Sequence, residues 1–202
     1  MSTTAAASAA TRKLIIGITG RIGAGKGAVV EYLVRSRGFV HYSARSFLLE
    51  SIRDKGLPEN RDSMVLVANA LRKEKGPSAV IEALLERART GADGEQPHCI
   101  IESVRTVGET KALAQAGAFL LGVDAPAKLR FDRIKKRKSE TDDISFETFL
   151  EHEAREEEQK EPYKANIAAV MKVADAVVDN SGSLDDLTAR VEEVLAGWEK
   201  GK

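Results

Sequence analysis

Hydrophobic positions along the chain change period several times, and each change marks an element. Lys13 to Thr19, with an apolar run from Leu14 and β-branched residues on both faces, reads as a buried strand. Residues 26–37 carry Val30, Tyr32, Leu33 and Val34 at helical spacing, and Gly38 is placed to end that helix. Phe39 to Tyr42 reads as a short second strand, followed by a helix over 43–55 with Phe47, Leu48 and Ile52 on one side and Gly56 and Pro58 closing it. Met64, Val67, Ala68 and Leu71 fall at i, i+3, i+4 and i+7 of a helix over 61–75, and Ile81, Leu84, Leu85 and Ala88 repeat the stripe over 77–90. A polar loop, 91–97, precedes a third strand at His98–Glu102. A helix over 107–116, a strand over 118–123, a basic helix over 126–138 and an acidic helix over 146–161 follow. A fifth strand centres on Ala176-Val177-Val178, and a last helix, capped by Ser183, buries Leu184, Leu187, Val191, Val194, Leu195 and Trp198. Strands alternating with helices predict an α/β fold with a parallel sheet and right-handed crossovers.

Between the first strand and the first helix stands Gly20-Arg21-Ile22-Gly23-Ala24-Gly25-Lys26-Gly27. A strand that ends in a glycine-rich curl and opens a helix presents backbone N–H groups and a positive helix dipole to phosphate. The GxxxxGK spacing is met, with Lys26 reaching the outer phosphates. The residue after the lysine is Gly27, then Ala28, where a GTPase or motor ATPase places a hydroxyl on magnesium. The Gly-Lys-Gly ending resembles that of adenylate-kinase-like nucleotide kinases, and the resemblance implies a metal held mainly by nucleotide phosphates and water.

Composition narrows the classes. The chain has 202 residues and a formal net charge of +0, which gives no global case for nucleic acid or a membrane surface. No apolar run approaches the roughly 20 residues of a bilayer span. The single cysteine, Cys99, lies in an apolar run and reads as a core residue in a reducing compartment. Residues 1–12 read as a disordered tail and 13–202 as one domain. The expected location is cytoplasmic, with organelle import left open by the tail.

Candidate chemistry collects around the loop. Glu102 ends the third strand, where a carboxylate beside a phosphate loop orients the metal's water shell or takes a proton. Arg133 and Arg137 are four apart on one helical face and can close over a transferred phosphoryl group, with Arg155 on the next helix. His41, with no His, Cys or carboxylate cluster near it in sequence, reads as a packed or exposed histidine rather than a metal ligand.

In this order the pieces resemble the P-loop nucleoside monophosphate kinases over roughly residues 13 to 198. The start, Ile16 to Lys26, and the end, Ala174 to Leu184, are similar to dephospho-CoA kinase, but the Asp-Ala-Asp that family carries after its second strand is replaced by Tyr42-Ser43-Ala44-Arg45. The middle is closer to adenylate kinase and an archaeal adenylate-kinase-like family. Ser43 matches a substrate-pocket serine, and Glu102-Ser103-Val104-Arg105-Thr106 the stretch whose arginine grips the acceptor phosphate. Arg133 and Arg137 match the arginines leading into the lid, Arg155 a lid arginine, and Asn180-Ser181-Gly182 the loop near adenine. Leu49 stands near the place of an arginine on the second helix, for which Arg45 or Arg53 are candidates.

The resemblance implies a P-loop NTPase fold: a five-stranded parallel sheet between helices, a substrate arm over about 43–90 and a lid over about 138–158. It implies ATP and Mg²⁺, with Gly20 through Ala28 and Asn180–Gly182 binding nucleotide. Lys26, Glu102, Arg133, Arg137 and Arg155 would serve catalysis, with Glu102 meeting the metal through water. Ser43, Arg45, Arg72 and Arg105 would bind a small phosphorylated acceptor, a nucleoside or deoxynucleoside monophosphate. A monomer or small homo-oligomer is expected. Dephospho-CoA kinase, with Glu102 as base for a hydroxyl, is the alternative reading; a nucleotide-binding regulator with weak hydrolysis is another.

Overall fold

The computed structural model describes residues 14–90, 98–137 and 144–200, with Arg137 described by its backbone. The expected tail, the polar loop 91–97 and the opening of the expected lid, 138–143, lie outside the described residues.

The apolar run forms β1 (Leu14–Gly20), which leads through the glycine loop into α1 (Lys26–Arg37). Gly38 ends α1 in the left-handed conformation (φ 68°), donating its N–H to the Leu33 carbonyl. Next come β2 (Val40–Ser43), α2 (Ala44–Asp54), α3 (Arg61–Lys75) and α4 (Ala79–Thr90). Ser43 caps α2 by accepting from Ser46 N–H, and Asn60 caps α3 by accepting from Ser63 N–H. The chain continues through β3 (His98–Glu102), α5 (Val107–Gln115), β4 (Phe119–Asp124) and α6 (Ala127–Arg137). It then forms α7 (Phe146–Glu157), α8 (Ile167–Lys172), β5 (Ala176–Asp179) and α9 (Leu184–Lys200).

Two boundaries differ from the sequence expectation. The acidic helix stops at Glu157, where Glu158 turns extended (φ −139°, ψ 92°), and Pro162 disfavours helix in the residue before it. The short helix α8 has only six residues, too few to show a period, and merges in sequence with the apolar approach to β5.

The five strands are all parallel, in the order β2-β3-β1-β4-β5. Alternate residues of each strand enter opposite cores. Ile15, Cys99, Ile101 and Leu120 pack against α2 to α5 and α8. Ile16, Ile18, Ile100 and Leu121 pack against α1 and α9. Cys99 is fully buried, and Trp198 stacks on Phe119 at 4.9 Å, so both serve the core. Parallel register brings the carboxyl ends of the strands to one edge: Ser43 stands opposite Glu102, and Glu102 opposite Ile18, two residues before Gly20. That edge, at the end of central β1, is the crevice where open α/β sheets hold ligands. Among the described residues no helix is long and apolar enough to cross a membrane.

Candidate active site

The glycine loop has almost no room for side chains. A Cβ on Gly20 (φ 141°) would stand 2.1 Å from the Val123 carbonyl oxygen, and one on Gly23 (φ 75°) 2.5 Å from that of Arg130. Gly25 (φ 100°) is the N-cap of α1 and makes no side-chain capping bond; its carbonyl accepts the Ala28 N–H (3.0 Å), which leaves the Lys26 and Gly27 amides to face the loop. A Cβ on Gly25 would meet Asn180 Nδ2 at 2.1 Å. Asn180 is buried, donates Nδ2 to the Ala24 carbonyl (2.8 Å) and takes Arg133 Nη2 on its own carbonyl (2.8 Å). Asn180 and Arg133, from β5's end and from α6, therefore brace the loop, and Arg133 also lines the cavity beside it. Ser181 and Gly182 lie exposed beside them; Ser181 Oγ turns to Asp179 (2.5 Å).

Lys26 folds back over the loop, donating Nζ to the carbonyls of Gly20 (2.7 Å) and Arg21 (2.9 Å). Burial pushes its pKa down to about 7, reinforced by Arg105, Arg61 and Arg130 and opposed by Glu102. Arg21, expected in the loop, lends only its backbone there: its guanidinium leaves the crevice for Asp124 and for Glu157 (2.5 Å). Ile22, Ala24, Gly27 and Ala28 complete the turn into α1, and nothing within 4 Å would obstruct a Cβ on Gly27.

Glu102 faces this loop from the end of β3. Its Oε1 accepts from Ser43 Oγ (3.3 Å) and its Oε2 lies 3.5 Å from His41 Nε2. Burial alone would raise its pKa, but the His41 contact, Lys26 and Ser43 outweigh burial and hold it below the usual value. The sequence reading gave His41 no carboxylate neighbour; pairing of β2 with β3 supplies one. The following residue, Ser103, sits at φ 66°, a left-handed conformation that strains a non-glycine residue.

A cavity of about 750 Å³ is lined by Lys26, Glu102, Arg45, Arg61, Arg105 and Arg155. Arg45 is exposed, its Nη1 3.6 Å from Met64 Sδ. Arg155 is exposed and stands 3.9 Å from Asp62. Arg105 is bonded to Glu156 of α7, and burial, then Arg61 and Arg72, push its pKa down to about 10. Arg72, a candidate acceptor ligand in the sequence, gives its guanidinium to Glu109 instead (Nη2 2.8 Å, Nε 2.9 Å); the pair is buried, at 3% and 0% exposure. Glu109 in turn accepts the backbone N–H of Arg105 (2.7 Å) and of Thr106 (3.1 Å), so Arg72 fixes the segment that carries Arg105. The side chain of Arg137 lies outside the described residues.

Sequence reasoning missed Arg61, His41, Glu109 and Glu156. Glu109 was visible as the acidic partner of a Thr106 capping box, a motif confirmed in both directions. Among the described residues no three His, Cys, Asp or Glu gather as a metal site, and the single Glu102 carboxylate beside the glycine cradle fits a magnesium ion held mostly by phosphate and water.

The comparisons agree with this geometry. The UPF0200 protein of Aeropyrum pernix is 29% identical over 181 residues, covering 89% of this chain and 90% of its own, and that of Thermococcus kodakarensis is 27% identical over 186 residues, covering 90% and 96%. Among solved structures, a gluconokinase from Sinorhizobium meliloti superposes with a TM-score of 0.56 at 15% identity (94% of this chain, 93% of that one). A shikimate kinase from Bacteroides thetaiotaomicron gives 0.58 at 12% identity (91% and 98%). At such identity these two speak for the fold alone, a parallel α/β sheet with a phosphate loop at the end of its central strand. The family model described as AAA domain matches residues 16–164, most of the parallel sheet and the whole of the glycine loop, and the chain belongs to that family.

Proposed function

We propose that the protein is an ATP-dependent kinase that transfers the γ-phosphoryl group to a small phosphorylated acceptor, a nucleoside or deoxynucleoside monophosphate. The observation that carries this reading is one cavity lined both by the phosphate loop and by Arg45, Arg61, Arg105 and Arg155. ATP would lie with its outer phosphates on the α1 amides and Lys26, and its base toward Asn180–Gly182. In-line attack by an acceptor oxygen on the γ-phosphorus breaks its bond to the β–γ bridging oxygen and releases ADP. Such a reaction asks for positioning and charge neutralisation more than for covalent help from the protein. Arg105 and Arg45 would hold the acceptor, while Arg133, Arg137 and Arg155 neutralise the group in flight. Magnesium, when bound, would neutralise the β- and γ-oxygens, with Glu102 orienting its water. The substrate arm is assigned to about 43–90 and the lid to about 138–158, whose described part is α7.

One observation favours a second reading. Glu102 is ionised, aligned by Ser43 and backed by His41, an arrangement able to take a proton from a hydroxyl acceptor such as the ribose of dephospho-CoA. ADP release from Mg·ATP, measured against AMP, CMP, UMP, GMP, their deoxy forms and dephospho-CoA, separates the readings. Stimulation by a monophosphate supports the first, and stimulation by dephospho-CoA alone replaces it with the second. Slow release indifferent to every acceptor would make the protein a nucleotide-binding regulator.

A further inference from the structure

Glu156 belongs to an acidic run on a surface helix, yet its side chain is only 10% exposed and faces inward. One carboxylate oxygen takes Arg61 Nη2 at 2.5 Å and the other is bonded to Arg105. Arg61 opens α3 and Arg105 follows β3, so two guanidinium groups from separate segments meet across one carboxylate. Their mutual repulsion is part of what lowers the Arg105 pKa, and both also lower that of Lys26. Glu156 thus bridges the two guanidinium groups with a single carboxylate. A phosphomonoester, divalent near neutral pH and offering three oxygens, matches a pair of forked guanidinium groups better than a carboxylate does. Both arginines line the cavity that continues to Lys26, so an anion held there would share that cavity with the phosphate loop.

We infer that Arg61 and Arg105 form the acceptor's phosphate site, and that Glu156 occupies it in the free protein as a tethered substitute which the incoming phosphate displaces. The inference rests on the phosphorylated-acceptor reading above and adds to it Arg61 as a ligand and Glu156 as a specificity element. An acceptor without a phosphate lacks the charge to displace Glu156 and leaves the clamp closed. The neighbouring acids on α7 are tied to the donor side: Glu153 to Arg130 (2.5 Å) and Glu157 to Arg21 (2.5 Å), and Arg130 also donates to the Ile22 carbonyl (3.1 Å). These contacts hold α7 against the phosphate loop without Glu156.

The test is calorimetric titration of the full chain with inorganic phosphate and with AMP, CMP, UMP and GMP, with ATP binding measured separately. Glu156→Gln removes the internal competitor, and phosphate and the preferred monophosphate should bind about tenfold more tightly or better, the scale of one charged hydrogen bond. Adding Arg61→Met should abolish the gain, with ATP affinity unchanged in both variants. Should Glu156→Gln fail to fold, Glu156→Asp should give a smaller gain, and amide exchange in α7 of the unmodified protein should speed up when phosphate is added. Unchanged phosphate affinity in a folded Glu156→Gln variant that still binds ATP would refute the exchange and leave the kinase reading standing. Failure of the unmodified protein to bind ATP or any monophosphate would refute both.

Discussion

Replacing Glu109 with Gln decides whether Arg72 belongs to the scaffold or to the substrate. The side chain of Glu109 is completely buried; one oxygen holds Arg72 and the other accepts the N–H groups of Arg105 and Thr106. A glutamine keeps one acceptor and turns its NH₂ toward donors at the other position, stranding either the Arg72 charge or two amides. Removing one partner of a buried ion pair costs about 3–5 kcal/mol. That is a large share of the roughly 5–15 kcal/mol that holds a domain together. At about 2–4 °C per kcal/mol for a chain of this size, the melting temperature should fall by roughly 6–20 °C. Arg72→Met should lose a similar amount. The double variant Arg72→Met/Glu109→Leu should recover the part due to the uncompensated charge but not the part due to the two amides, each an unsatisfied donor worth about 1–3 kcal/mol. Urea unfolding of the parent, Arg72→Met, Glu109→Leu and the double variant measures the coupling, and ATP affinity should not change. A Glu109→Gln variant less than about 1 kcal/mol below the parent would refute the reasoning. So would an Arg72→Lys variant of full stability whose only defect is a raised acceptor KM.

Lys26 gives a pH signature. Its native pKa of about 7 lies below the ordinary 10.5, so between those values the unfolded chain holds more protons than the native one. Its stability cost is therefore complete below pH 7 and fades as pH rises toward 10.5, and Lys26→Ala should be more stable than the parent at pH 6 while losing turnover. Because a bound triphosphate favours the charged amine, nucleotide binding should take up a proton above pH 7, seen as heats that depend on the ionisation enthalpy of the buffer. Buffer-independent heats at pH 8 would remove Lys26 from the phosphate site. Ser103→Gly should relieve the left-handed strain after Glu102 and stabilise the protein by about 0.5–1 kcal/mol net of glycine's entropy, read as a raised urea midpoint. A lowered midpoint would show that the serine side chain holds that turn.

What was legible in the sequence followed from periodicity and from local motifs. The stripes of α3 and α4, the run of β1 and the GxxxxGK loop each lie within a few residues of themselves, so their signals are complete in one window. The arginine clusters were legible only as charges. Arg72 and Arg105 look alike in sequence, and their difference comes from Glu109, packed against one and bonded to the backbone of the other. Glu156 was hidden because a run of acids on a helix usually faces water, and only the docking of α7 turns one of them inward. His41 and Glu102 meet because β2 pairs with β3, a contact across roughly 60 residues that no local pattern reports.

The position of β1 also governs how the chain reaches its native state. The most buried strand of the sheet precedes both its partners, β3 and β4, pairing Leu14 with His98 and Ile16 with Phe119. During synthesis at roughly 5–20 residues per second, it waits about 4–16 seconds for its first neighbour, with its apolar residues unpaired. Parallel pairing at such separation is entropically slow to close. The central strand that carries the phosphate loop is thus the first of the five to be made, and folding during synthesis should depend on how well the helices between β1 and β3 shield it in the interval.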